Sequence, residues 1–358
     1  MEQDADLNMA QLMPPPLTVS CFSRLVLPFW YWLTWVVPDK GPLIVCTLFV
    51  CVYMTQGGDD EVFQPEPSAV GVLAGQFGQY VDAPHGLPGT FRSPSSIDCA
   101  CDGRLAVVDA DSGAVHIFGR NGDCLSSFRV AGARSACFVA DAARGESLAV
   151  VTHDGGVSIC DQTGRVDKHL PLGADVVAVA ALRHGGGGGG GGGVFVAAHR
   201  SRLTICDRYQ PTALLRSLGS MRPMNAPVGR PGTPFSDVRA LATTATPRAY
   251  VIDAAAVLAV DVDTGTLLQS VAAAPLLREP SAVAVDLVTG AVFVSDSAGR
   301  RVLQFDADAG RYRCVAALPD DGGGCVALAA GPRGPGGHQL VYVVCRGHGA
   351  AHVLMYQI

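Results

Sequence analysis

The stretch from Arg278 to Asp308 constrains the fold most, because it holds three short apolar runs with a turn signal between each pair. Ser281 to Val285 alternates small and apolar residues, Leu287-Val-Thr-Gly290 is a turn, and Ala291 to Ser295 is a second run. Asp296-Ser-Ala-Gly299 turns again before a third run, Val302 to Phe305. Runs of this length are strands, and turns this short join antiparallel neighbours. A single meander leaves apolar faces uncovered, so the pattern predicts further copies to stack against it.

The copies are present. Leu105 to Asp109, then Asp111-Ser-Gly113, then Val115 to Phe118 repeat the second strand, turn and third strand. Weaker copies pair Leu148 to Thr152 with Val157 to Cys160, Val194 to Ala198 with Leu203 to Cys206, Ala249 to Asp253 with Val257 to Val260, and Val341 to Cys345 with His352 to Tyr356. Aligned on Asp109, Thr152, Ala198, Asp253, Asp296 and Cys345, the spacings are 43, 46, 55, 43 and 49 residues. The two longest contain inserts rich in Pro and Gly, Arg222 to Pro234 and Gly331 to Gly337. A period of about 40 to 50 residues with four short strands per unit is the signature of a β-propeller.

Two of the six repeats carry a more specific pattern. Phe91-Arg-Ser-Pro94, Ile97-Asp98, Asp102-Gly103 and Val108-Asp109 resemble the NHL repeat, and so do Glu279-Pro280, Ala284-Val285-Asp286, Val294-Ser-Asp296-Ser297, Arg301 and Val302-Leu-Gln-Phe305. The resemblance covers residues 68–358, and it is similar to the NHL domain of tripartite-motif proteins. No Cys/His zinc framework for a RING or B-box and no heptad coiled coil accompanies it. The predicted fold class is therefore all-β, a six-bladed propeller of NHL repeats preceded by a short hydrophobic segment. The last repeat reaches only its third strand, and the orphan strand Ala69 to Ala74 is expected to complete that blade, which removes an open sheet edge.

Charge divides the chain unevenly. Residues 1–67 hold eight acidic side chains against Arg24 and Lys40, whereas residues 68–358 hold 24 of each sign. The propeller is thus no basic nucleic-acid binder in bulk, and only a clustered patch would make it one. Residues 1–24 are acidic and then Pro-rich, read as a disordered leader, and 55–67 as a linker. Residues 25–54 form two apolar runs broken by Pro38-Asp-Lys-Gly-Pro42, with Phe29, Trp30, Tyr31, Trp32 and Trp35 in the first. Each run is shorter than the roughly 20 residues that a spanning helix needs. The alternatives are a kinked membrane anchor or hairpin, a secretory signal peptide, which the acidic amino end opposes, a helix packing on the propeller, and a leading segment without a folded role. Membrane association through 25–54 and a cytoplasmic location both stay open.

Cysteine usage favours reduced thiols. The propeller holds nine Cys, an odd number without framework spacing, and no Asn begins a glycosylation acceptor. Cys99 and Cys101 are placed on one strand face by their spacing, but no second pair stands at ligand spacing, so no metal or other cofactor is expected. The nine glycines from Gly185 to Gly193 read as a loop expansion, since neither Lys-Ser/Thr nor a helix follows as a phosphate loop requires.

Propeller hydrolases and lyases place a metal at the inner strand ends with several carboxylates or His. Here the inner strands, Ser96 to Cys99, Ala136 to Val139, Val177 to Ala180, Val238 to Leu241, Ala282 to Val285 and Val326 to Ala329, are mostly apolar. Asp98 and Asp286 are the acids nearest them, and no Gly-x-Ser-x-Gly elbow occurs. A non-catalytic scaffold is the expectation, with the metal-dependent enzyme as the alternative from another class.

Recognition should use one face. In a propeller the loops entering the first strands and those joining second to third strands share a side, which gathers Arg92, Arg134, Arg200, Arg202, Arg278, Arg300, Arg301 and Arg346 with His153, His199 and His348. Arginine suits carboxylate or phosphate because its planar fork gives paired hydrogen bonds. The resemblance implies that this face binds a protein partner, or RNA as an alternative, and that the chain serves as an adaptor in ubiquitin-ligase-type regulation without transferring ubiquitin itself.

Overall fold

The computed structural model describes residues 71–82, 87–141, 145–182, 194–207, 214–218, 235–272, 276–306, 310–318, 323–334, 336–347 and 350–358. The readings of 1–24, 25–54 and 55–67, the glycine run, the insert 222–234 and His348 lie outside these residues. Among the described residues regular structure is entirely strand, and no helix is long and apolar enough to cross a membrane.

Three strands come first: β1 (Val72–Phe77), β2 (Gln79–Tyr80) and β3 (Thr90–Phe91). Blade one is β4 (Pro94–Cys99), β5 (Leu105–Asp109), β6 (Ala114–Phe118) and β7 (Cys124–Arg129). Blade two is β8 (Ser135–Asp141), β9 (Gly145–Val151), β10 (Gly156–Cys160) and β11 (Val166–Pro171), and blade three is β12 (Val176–Ala181), β13 (Val194–His199), β14 (Leu203–Asp207) and β15 (Leu214–Leu218). Blade four is β16 (Val238–Thr243), β17 (Arg248–Asp253), β18 (Ala256–Asp261) and β19 (Thr266–Ala272), and blade five is β20 (Pro280–Val285), β21 (Val292–Asp296), β22 (Arg301–Asp306) and β23 (Arg311–Ala317). Blade six holds β24 (Gly324–Ala330), β25 (Leu340–Gly347) and β26 (Ala350–Gln357), and its fourth strand is β1.

The expected six-bladed ring and its closure are both present. β1 runs antiparallel to β26 from Val72 opposite Gln357 to Phe77 opposite Val353. The closing strand begins at Val72, three residues later than the sequence reading placed it, and ends at Phe77. Gly78 then turns the chain with a positive φ of 76°, and a Cβ there would stand 2.0 Å from the Phe91 ring, so only glycine fits this exit.

Period-two alternation explains why the blades stack. In β5, Leu105 and Val107 face blade six with Phe118, Tyr342 and Val353, while Ala106 and Val108 face blade two with Phe138, Leu148 and Val150. Every blade presents an apolar surface on both sides in this way, and six buried seams result, including one between blades six and one. Each buried Val or Leu contributes roughly 1.5–3 kcal/mol relative to exposure, so the continuous seam is the main source of stability.

A register shift recurs in the innermost strands. It falls between Pro94 and Ser96, Val176 and Ala178, Val238 and Ala240, Pro280 and Ala282, and Cys325 and Ala327, in five of the six blades. The residues facing its first member are Asp109, His199, Asp253, Asp296 and Cys345. The repeat position in blade three is therefore His199, one residue beyond the Ala198 that spacing indicated.

Candidate functional site on the upper face

We call upper the face that carries the loops entering the innermost strands and those joining second to third strands. Its frame is a set of latches at the register shift. In blade one the buried Asp109 carboxylate accepts hydrogen bonds from the backbone N–H groups of Arg92 (2.9 Å) and Ser93 (2.8 Å). In blade four Asp253 accepts from Ser236 (3.1 Å) and Asp237 (2.6 Å). In blade five the buried Asp296 accepts from Arg278 (3.2 Å), Glu279 (2.9 Å) and Gly299 (3.2 Å). One carboxylate thus satisfies the donors of a loop that has no strand partner, and it fixes where that loop's side chains begin.

Blade three reverses the arrangement. His199 is fully buried, its Nδ1 lies 2.8 Å from Asp175 on the entering loop, and its Nε2 lies 2.9 Å from the Thr204 hydroxyl. Burial is the larger influence and lowers the imidazole pKa, against the opposing pull of Asp175. Burial alone would raise Asp175, but the hydrogen bond and charge of His199 and the nearby Arg202 hold it below the usual carboxylate value. His199, expected on the open face, is thus placed in the interior because its strand position is the latch position.

Most of the remaining arginines named from the sequence are already engaged. Arg92 pairs with Asp82 at 3.4 Å, and Arg202 with Asp175 at 3.6 Å. Asp237 holds both Arg200 and Arg239 at 3.0 Å, and Arg239 in particular keeps its carboxyl below the ordinary range. Arg301 donates to Leu276 O at 2.8 Å and lies 3.4 Å from Asp296, which makes it a brace of the latch. Arg300 sits with a positive φ of 49° in the turn before β22. Arg134 and His153, both exposed, are in contact at 2.5 Å between Nη2 and Nδ1. Arg278 is exposed at the rim, and Arg346 is exposed and donates to the Ser93 hydroxyl at 2.9 Å. Arg239 belongs to this group although its position inside an apolar strand, β16, hid it from the sequence reading.

At the centre of the face is a funnel of about 390 Å³. Its walls come from four blades: Ser95 of blade one, Arg239 of blade four, Glu279, Ser281 and Ser297 of blade five, and Cys325 and Arg346 of blade six. The serines are joined across the seams, with Ser95 donating to Arg134 O (2.6 Å) and Ser281 and Ser297 to Cys325 O (2.8 and 3.0 Å). Below it the ring's central channel narrows to about 150 Å³ and is lined mainly by Ala and Val of the innermost strands. Asp98 lies on this channel, where its carboxylate accepts from Phe138 N–H of blade two at 2.8 Å.

Asp286 is on the opposite face and settles the turn after β20, accepting from Val288 N–H (2.9 Å) and the Thr289 hydroxyl (2.5 Å). Arg333 reaches it at 3.2 Å from the Pro/Gly loop of blade six, while Arg120 of blade one donates to Pro332 O of that same loop at 2.9 Å. The insert read from the sequence as a mere lengthening is thus a clasp across three blades. Among the described residues no three His, Cys, Asp or Glu side chains stand close enough to hold a metal ion. Cys99 is buried and Cys101 is exposed in the following turn, so the two do not share a strand face. None of the nine described cysteines forms a disulfide, and burial pushes Cys160, Cys206 and Cys325 up to about 12, which keeps those thiols protonated.

No protein-family model matches the chain, and no curated protein matches it.

Proposed function

We propose that the chain is a non-catalytic scaffold that engages a protein partner through the upper face of an NHL-type propeller. The observation that carries this reading is the interleaving of arginines with Asp82, Asp175, Asp237 and Glu279 around a walled funnel. A surface of alternating charge fits the mixed rim of a protein interface, whereas nucleic acid demands a stripe of uncompensated cations. The NHL assignment rests on the sequence pattern, and the recurring carboxylate latch supports it by giving Asp109 and Asp296 one shared task. A ubiquitin-pathway adaptor role rests on that same resemblance and extends the proposal to the class of partner.

The test places a photo-crosslinking amino acid at Arg278 on the upper face or at Thr289 on the opposite face of the full chain in cells. Protein adducts from position 278 and few from 289 are the expected result. Adducts mainly from 289 would overturn the face assignment, and nucleic-acid adducts from 278 would replace a protein partner with RNA.

A further inference from the structure

Arg346 differs from the other arginines of the funnel. Its hydrogen-bond partner is the neutral Ser93 hydroxyl, and among the described residues no carboxylate lies in ion-pair range of it. Across the same opening stands Arg239, whose partner Asp237 is shared with Arg200, so its charge is only partly balanced. Glu279 occupies a third side and opposes negative charge there. The serine hydroxyls between them are spent on Cys325 O and Arg134 O, and the channel beneath is smaller than the funnel. The opening is thus polar at its lip, with guanidinium groups on two sides and a carboxylate on the third.

Resting on the reading of the upper face as a protein-binding surface, we propose that this mouth anchors a single carboxylate side chain, Glu or Asp, projected from an extended segment of the partner. Arg346 supplies the paired donors, and Arg239 supplies long-range attraction. A planar guanidinium without a carboxylate of its own is preorganised for such a guest, since no internal ion pair has to break first. A polyanion fits less well, because Glu279 opposes each negative charge it brings, whereas a single carboxylate meets that repulsion once.

The probe is the pentapeptide acetyl-Gly-Gly-Glu-Gly-Gly-amide, titrated into full-length protein while the arginine Nε–H resonances are followed. The expected result is a saturable shift at Arg346 and Arg239 that the Gln counterpart of the peptide does not produce. Arg346→Gln should weaken binding at least tenfold, Arg346→Lys should fall between, and Arg165→Gln, at an exposed turn between β10 and β11 away from the upper face, should leave binding unchanged, with backbone spectra reporting that each variant is folded. Equal binding by the Gln peptide, wild-type binding by Arg346→Gln, or no binding at millimolar peptide would overturn the proposal. Tighter displacement of the Arg346 shift by hexauridylate would overturn it in favour of phosphate. Failure of this titration leaves the crosslinking from Arg278 intact, whereas loss of that crosslinking with the titration intact marks a carboxylate site on a face that no protein uses.

Discussion

Blades five and three make the same junction with opposite chemistry. In blade five a fully buried carboxylate, Asp296, waits at the end of the second strand and collects backbone donors from the entering loop. In blade three the strand end is an imidazole, also fully buried, and the carboxylate has moved to the loop as Asp175. The junction requires that loop and strand end be joined by a strong hydrogen bond, and it is indifferent to which side brings the acid. What does differ is what each latch satisfies. Asp296 answers backbone groups that nothing else can reach, while His199 answers a side chain that retains access to water.

The largest effect should come from removing the acid. Asp296→Ala orphans three backbone donors in a buried site and leaves Arg301 without its carboxylate, a loss on the order of 3–5 kcal/mol. His199→Ala should cost less, about 2 kcal/mol, because the half-exposed Asp175 recovers solvent when its partner goes. Urea unfolding of the two variants checks the order, and a larger loss at His199 would break the comparison.

Acid should separate the blades next. Burial holds the His199 pKa below the ordinary imidazole value of 6.5, so below that value the unfolded chain binds the proton more readily than the folded one. The stability tied to neutral His199 is therefore present above pH 6.5 and is lost as pH falls toward the lower folded pKa. Thermal melts between pH 8 and 5.5 should show this decline in wild type and a shallower one in His199→Gln. His116, also buried and also lowered chiefly by burial, carries a remainder of the same sign. An unchanged slope in His199→Gln would assign the whole pH dependence elsewhere.

The smallest effect sharpens the contrast. Thr204→Val removes the partner of His199 Nε2 while keeping the shape, and should cost about 1 kcal/mol by urea unfolding. Among the described residues of blade five no hydroxyl stands behind the latch in this way.

Much of this ring was legible because the second and third strands of each blade are short, apolar and buried on both sides. Leu105 to Asp109 and Val302 to Phe305 announce themselves in that way. The fourth strands did not, because they lie outermost: β7, Cys124–Arg129, is half-exposed or exposed throughout and reads as a polar stretch. His199 was misassigned to the open surface because β13 runs one residue further than the spacing of the repeats indicates, and an imidazole stands at the strand end where blades one, four and five have Asp. The arginines were legible as loop residues but not as members of pairs. Arg200 meets Asp237 of the next blade, and an alignment of repeats shows which residues are equivalent, not which are neighbours across a seam. Arg346 is distinctive only by what its neighbours lack, and that requires every loop of the face to be in place.

The union of β1 with β26 fixes the order in which this molecule can be assembled. A ribosome that has delivered blades one to five has already made the closing strand, yet Val72–Phe77 has nothing to pair with until Val353–Gln357 emerges. Until then two apolar blade faces, the outer sides of blades one and five, stand open to solvent. Joining strands so distant in sequence is entropically slow, so the final step of folding is also the one most exposed to aggregation. A chain cut short anywhere within blade six would therefore be expected to behave as a sticky, unclosed arc and to depend on chaperones, although five of its blades carry every residue they need.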